Sequence, residues 1–182
     1  MIGAKELDDG YFNYYRKLTP HADSRFSMVA EHRDYFDIRG KIETQMLSPK
    51  TRYAAYLVYR LEKDFKDLQP VKGIIWFVNL DEYRDAERRA TTLHLRPGLV
   101  GKSQQIAVSR PDGWMELQLG MFYNDLGSDG PVEAGLLKSD ERSKVDLVIE
   151  GIEFRPAKTG FVSKENARNR RKGIFSKLRI SG

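Results

Sequence analysis

Three histidines are the first candidates for chemistry, because imidazole is both a metal ligand and a proton carrier. His21, His32 and His94 are scattered, and none stands four residues from another with an acid between, the spacing a helical metal site needs. The chain has no cysteine, which excludes disulfides, zinc-thiolate centres and thiol nucleophiles. It also lacks the Gly-x-Ser-x-Gly elbow of a serine hydrolase. Its nearest glycine-rich stretch, residues 98–103, does not have phosphate-loop spacing. Glu116, Glu133 and Glu150 fall on polar positions of apparent strands, where a carboxylate pair about 5 to 5.5 Å apart would hydrolyse glycosides. Sequence does not give that distance, and glutamate on the wet face of a strand is ordinary. The expectation is no enzyme, no metal and no cofactor.

A different kind of chemistry is suggested by Tyr11-Phe12-Asn13-Tyr14-Tyr15, flanked by Asp8, Asp9, Arg16 and Lys17. Sugar rings carry apolar C–H faces that stack on aromatic rings, and hydroxyls that need fixed polar partners. Tyr11, Phe12 and Tyr14 are therefore the candidate ligand-binding residues. Their alternative role is to plug one end of the fold as core.

The elements that would hold such a segment are strands. In residues 36–46, apolar or small residues occupy even positions and polar ones odd positions, as a half-buried antiparallel strand requires. Residues 51–61 are apolar on both alternating faces, which suits a central strand between two layers. Gly73-Ile74-Ile75-Trp76-Phe77-Val78 reads as another buried strand. Shorter strands are expected at 91–95, 104–109, 114–119, 132–137 and 145–154. Residues 81–90 are charged throughout and read as a solvated loop or a helical turn. Beyond that, helix is expected only near the N-terminus and in the C-terminal tail. Trp76 and Trp114 are expected in the core. Many short strands broken by Gly, Pro, Asn and Asp make an all-β sandwich, of which the jelly roll is one version.

Charge divides the chain. Residues 157–182 hold eight basic residues and one acid, while residues 1–156 are nearly balanced, with 23 basic and 25 acidic groups. The basicity belongs to the tail, so no nucleic-acid face is expected on the fold itself. Two regions follow: a domain at 1–156 and a basic tail at 157–182. The tail is expected to be solvated and disordered, or a basic helix with Ile174, Phe175 and Leu178 on one side. In the second case a protein partner or an anionic membrane surface would suit it, and Asn169-Arg170-Arg171-Lys172 would suit an import receptor. The first thirty residues contain no apolar run resembling a secretory signal. The expected location is the cytoplasm or the nucleus.

Several blocks in order then carry a family resemblance. They include Ser24-Arg25-Phe26-Ser27-Met28-Val29-Ala30-Glu31, Asp37-Ile38-Arg39-Gly40-Lys41-Ile42-Glu43 and Met46-Leu47-Ser48-Pro49-Lys50-Thr51. Later come Asp112-Gly113-Trp114-Met115-Glu116-Leu117, Asp129-Gly130 and Ile149-Glu150-Gly151-Ile152-Glu153-Phe154-Arg155-Pro156. Together they resemble the phloem protein 2 family of plant lectins. The resemblance implies an antiparallel jelly-roll sandwich that binds N-acetylglucosamine oligomers and N-glycan cores without catalysis, often as a homodimer. Its stacking residues are tryptophans in the N-terminal stretch; here Phe12 and Tyr14 stand at two of those positions and the first is missing. Two acidic positions tied to sugar binding correspond to Pro131 and Lys138. Two functions stay open: a lectin of weakened or altered specificity, whose partner is an oligosaccharide or glycoprotein, or a protein-interaction module of the same fold that has lost its sugar site.

Overall fold

The computed structural model describes residues 1–8, 16–33, 37–62, 68–97, 105–138 and 145–157. Among the described residues twelve strands form two sheets. They are β1 (Ile2–Gly3), β2 (Arg16–Pro20), β3 (Met28–Arg33), β4 (Asp37–Glu43), β5 (Thr51–Leu61), β6 (Val71–Phe77), β7 (Thr91–His94), β8 (Gln105–Ile106), β9 (Val108–Ser109), β10 (Met115–Asn124), β11 (Pro131–Lys138) and β12 (Asp146–Pro156). The larger sheet runs β2-β3-β12-β5-β10-β9, with β1 also on β12, and the smaller runs β4-β11-β6-β7-β8. Pairing is antiparallel except between β7 and β8. Within this order, β3-β12-β5-β10 faces β4-β11-β6-β7, the interleaving of early and late strands that defines a jelly roll. The all-β jelly-roll sandwich expected from the sequence is the fold observed.

The core lies between the sheets. Tyr53, Ala55, Leu57 and Tyr59 of β5 meet Ile38 of β4, Val132, Ala134 and Leu136 of β11, and Leu93 of β7. Each large side chain buried there removes apolar surface worth about 1.5–3 kcal/mol. Tyr59 is fully enclosed; its hydroxyl donates to the Leu95 carbonyl, and burial pushes its pKa up.

Two bulges set what each face of the large sheet displays. In β10 the register against β5 slips between Gln118 and Gly120, so Leu117, Leu119 and then Phe122 all point inward. In β12 it slips between Ile149 and Gly151, leaving Glu150 unmatched. At that same point β12 changes its other neighbour: its pairing with β3 runs as far as Ile149, and its pairing with β1 begins at Gly151. A Cβ on Gly151 would lie 2.1 Å from the Ile2 carbonyl oxygen, so only glycine admits β1 so closely.

The structure corrects some of the expectations and decides between others. The strand over 36–46 ends at Glu43, and a 3-10 turn over Thr44–Met46 leaves Met46 75% exposed. Asn124 fixes that turn, donating to the carbonyls of Thr44, Leu47 and Ser48. Residues 104–109 are not one strand: β8 joins the small sheet and β9 the large one, with Ala107 buried between them. Among the described residues no second sheet covers the other apolar face of β5. Its Val58 packs with Val29, Val148 and Trp114 under the 21–27 loop. Of the two options at 81–90 the helical one is observed, α1 (Tyr83–Arg88), covering Ile74, Trp76 and Leu137 on the outside of the small sheet. Near the N-terminus the described helical structure is one 3-10 turn, Ala4–Glu6.

Candidate ligand-binding site

Tyr11, Phe12 and Tyr14 lie outside the described residues. The residues on either side of that segment are placed, and both are tied down. Asp8 exchanges backbone hydrogen bonds with Arg39 on β4, the edge of the small sheet, at 2.9 and 2.8 Å. Arg16 opens β2, the edge of the large sheet, and its guanidinium donates to the carbonyls of Leu7 and Ala4.

Beside Asp8, the outer face of the small sheet carries a half-buried polar and aromatic cluster. Strand alternation sends Ile38 inward and Asp37 and Arg39 outward. Arg39 grips Asp37 with Nε at 2.7 Å and a terminal nitrogen at 2.5 Å, and lies 3.7 Å from Glu133. The same guanidinium covers the Tyr83 ring at 4.5 Å and the Trp76 ring at 5.8 Å, and donates to the Tyr83 hydroxyl at 3.1 Å. Gly135 is opposite Arg39 in register, and a Cβ there would press on the Arg39 side chain and Ile74. Its missing side chain leaves the arginine free to lie across the sheet towards the aromatics. Burial pushes the pKa of Glu133 up, opposed by Arg39 and Lys41 and assisted by the charge of Asp8.

The outer face of the large sheet is polar in another way. Tyr56 has Gln118 opposite it on one side and Glu153 on the other. Arg155 lies over the Tyr56 ring, its guanidinium carbon 3.8 Å from the ring centre, and reaches Glu116 at 2.6 Å. Arg110 sits 3.1 Å from Glu153 and 3.7 Å from Glu116. Arg25 binds Glu150 at 2.8 Å. This face is a lattice of guanidinium and carboxylate groups that already satisfy one another.

The other sequence candidates fall into place around these faces. Glu116 and Glu150 belong to the outer face of the large sheet and Glu133 to that of the small one, so the core separates Glu133 from the other two. Each of the three faces an arginine. His32 is buried in β3, His94 ends β7, and His21 packs 5.3 Å from the Trp114 ring. Among the described residues no group of three His, Asp or Glu could hold a metal ion. Trp76 and Trp114 are buried as expected, but on the two outer faces rather than between the sheets. Trp114 donates from its indole nitrogen to Asp23 at 3.0 Å and carries Arg60 at 4.5 Å over its ring. Pro131 opens β11, two residues before Glu133, and Lys138 closes it.

Sequence reading missed the grouping of Arg39, Trp76 and Tyr83. Alternation does mark Arg39 as outward on β4, but its aromatic neighbours are 37 and 44 residues away and arrive only through pairing with β11 and the packing of α1.

Comparison with known proteins gives the chain's family. A family model described as Phloem protein 2 matches residues 1–156. The F-box protein PP2-B10 of Arabidopsis thaliana is 36% identical over 151 residues, covering 79% of this chain and 54% of that protein. The F-box protein VBF of Arabidopsis thaliana is 34% identical over 161 residues, covering 74% of this chain and 57% of that protein. The chain thus spans about half the length of the curated relatives it matches. Among solved structures, TmCBM61 in complex with beta-1,4-galactotriose superposes with a TM-score of 0.47 at 8% identity, covering 85% of this chain and 91% of that one. With the model matching the whole sandwich, from its first strand to its last, the chain belongs to the Phloem protein 2 family.

Proposed function

We propose that the chain is a glycan-binding module without catalytic chemistry of its own, taking N-acetylglucosamine oligomers or N-glycan cores. The observation that carries this reading is the setting of segment 9–15. It leaves from Asp8 beside the Arg39, Asp37, Glu133 and Tyr83 cluster and returns at the pinned Arg16. Tyr56 and Tyr83 are each already covered by a guanidinium. The rings proposed to stack on the sugar are those of Tyr11, Phe12 and Tyr14 in the segment. Glu133, on the strand that Pro131 opens, supplies a carboxylate where the family's acidic position has been replaced.

Isothermal titration with chitin oligomers tests this. Phe12→Ala combined with Tyr14→Ala is expected to abolish binding while the circular dichroism spectrum is retained, whereas Tyr56→Ala leaves binding in place. Absence of heat at about 1 mM ligand, where even a complex of about −4 kcal/mol is half formed, sinks the reading.

The second reading, a protein-interaction module of the same fold, draws on the relatives named as F-box proteins and on the chain spanning about half their length. It is favoured if partners captured from plant extract are not displaced by chitin oligomers.

A further inference from the structure

Three connections close one end of the sandwich: residues 44–50 between β4 and β5, residues 78–82 between β6 and α1, and residues 125–130 between β10 and β11. They are bound into one surface. Thr44 donates its hydroxyl to Gly130 at 2.8 Å, and the Lys50 amide donates to the Asp125 carbonyl at 2.9 Å. The Val78 amide reaches Pro131 at 2.9 Å. A Cβ on Gly127 would touch Gln45, and one on Gly130 would strike Asn79.

The three most exposed large apolar side chains among the described residues are Met46 at 75%, Leu80 at 67% and Leu126 at 67%, one on each connection. Loops fixed by this many backbone contacts have no local reason to hold leucine and methionine in water. The three connections carry Asp81, Glu82, Asp125 and Asp129 and one lysine, Lys50. Lys50 lies 2.5 Å from Asp125, and Arg89, just after α1, lies 3.3 Å from Asp81. Four acids against these two bases leave the border net negative. The surface is apolar with an acidic border, which suits a basic segment carrying a few large apolar residues.

Such a segment begins at this end. Pro156 pairs with Tyr53 near the start of β5, and the Ala157 amide donates to the Arg52 carbonyl at 2.8 Å. Thr51, one residue earlier, pairs with Asn124, next to the 125–130 connection. Residues 157–182 hold eight Lys or Arg and one Glu, with Ile174, Phe175 and Leu178 among them. The family match ends at residue 156, so the tail lies beyond the part that matches the family.

We propose that the chain's own basic tail docks on this end of the sandwich. Ile174, Phe175 and Leu178 meet Met46, Leu80 and Leu126, and its lysines and arginines face the acidic border. Tethering gives the tail an effective concentration in the millimolar range, so a contact too weak to form between separate molecules forms within one. Docking also occupies a surface that a basic partner segment would otherwise use.

The absence of cysteine permits a clean test. A nitroxide is attached to Ser176→Cys in the full chain, and amide cross-peaks are compared between the oxidised and reduced label. The expected result is loss of the cross-peaks around Met46, Leu80 and Leu126, with recovery in Met46→Asp combined with Leu126→Asp. Partial recovery is also expected at about 1 M salt, where screening acts within about 3 Å. Both substituted residues are exposed, so that variant keeps its fold. Unchanged cross-peaks on the three connections, or broadening spread evenly over the domain, overturns the proposal. So does broadening that appears only when labelled and isotope-enriched copies are mixed, because a second copy would then be the occupant.

Discussion

Arg25 and Glu150 are joined by three hydrogen bonds: the Arg25 amide to Oε1 at 2.7 Å, and Nε and a terminal nitrogen to Oε2 at 3.0 and 2.8 Å. The carboxylate is fully enclosed, on the bulge where β12 exchanges one neighbour for another. The pair therefore straps the loop before β3 across the outer face of the large sheet, over Trp114. Charges this enclosed depend on their partners, and removing one leaves the other without compensation.

Arg25→Met should lower stability by about 3 kcal/mol in urea unfolding, the lower end of the range for a broken buried pair because the arginine is half in solvent. Glu150→Gln should cost less, since an amide oxygen still accepts from the Arg25 backbone. Equal losses in the two variants would contradict the strap.

Asn124 tests the acidic-bordered end. Its amide nitrogen serves three carbonyls at 3.0 to 3.1 Å in a fully buried position. Asn124→Ala should cost about 2–3 kcal/mol through the unsatisfied carbonyls. Asn124→Asp should be worse, because a carboxylate would face those oxygens. Thermal unfolding of both variants gives the order, and an aspartate variant that melts above the alanine one refutes the donor assignment.

Gly151→Ala places a methyl against the Ile2 carbonyl. The expected outcome is displacement of β1, a loss of about 2–3 kcal/mol as for other overpacked sites, and faster amide exchange at Ile2 and Gly3. Unchanged exchange there would show that the approach relaxes at no cost.

His32 gives the pH dependence. Burial, reinforced by the charge of Arg16, pushes its pKa down from 6.5 to about 4. On acidification the unfolded chain takes up this proton first, so the contribution to stability is complete above about pH 6.5 and is lost as pH falls towards 4. The slope from one such group is at most about 1.4 kcal/mol per pH unit. His32→Gln should flatten the urea midpoint between those limits, and parallel profiles for the two proteins would contradict the assignment.

What the sequence made legible follows from alternation. β5 is found over Thr51–Leu61, where its apolar run marked it, because a strand without interruption keeps its pattern. β10 was expected to stop at Leu119 but continues to Asn124. The bulge shifts inward residues from odd to even positions, and a period-two pattern read straight through it appears to end. β2, the edge of the large sheet, and the six-residue β3 beside it went unread because short strands of mixed exposure carry little alternation. At the site, Arg39 and Glu133 were marked as outward by the same rule. Their meeting with Tyr83 was not, since it depends on a six-residue helix with no side-chain cap at its start. Tyr11, Phe12 and Tyr14 were chosen for what their rings can do, and they stay the proposal's own residues.

The central claim is glycan recognition beside Asp8 and Arg39, and mapping amide shifts during titration with an N-acetylglucosamine trimer tests it most directly. The reading predicts saturable shifts at Asp8, Arg39 and Glu133 that disappear in Phe12→Ala combined with Tyr14→Ala. Shifts confined to Tyr56, Glu116 and Arg155 on the opposite face, or none at about 1 mM ligand, would contradict it.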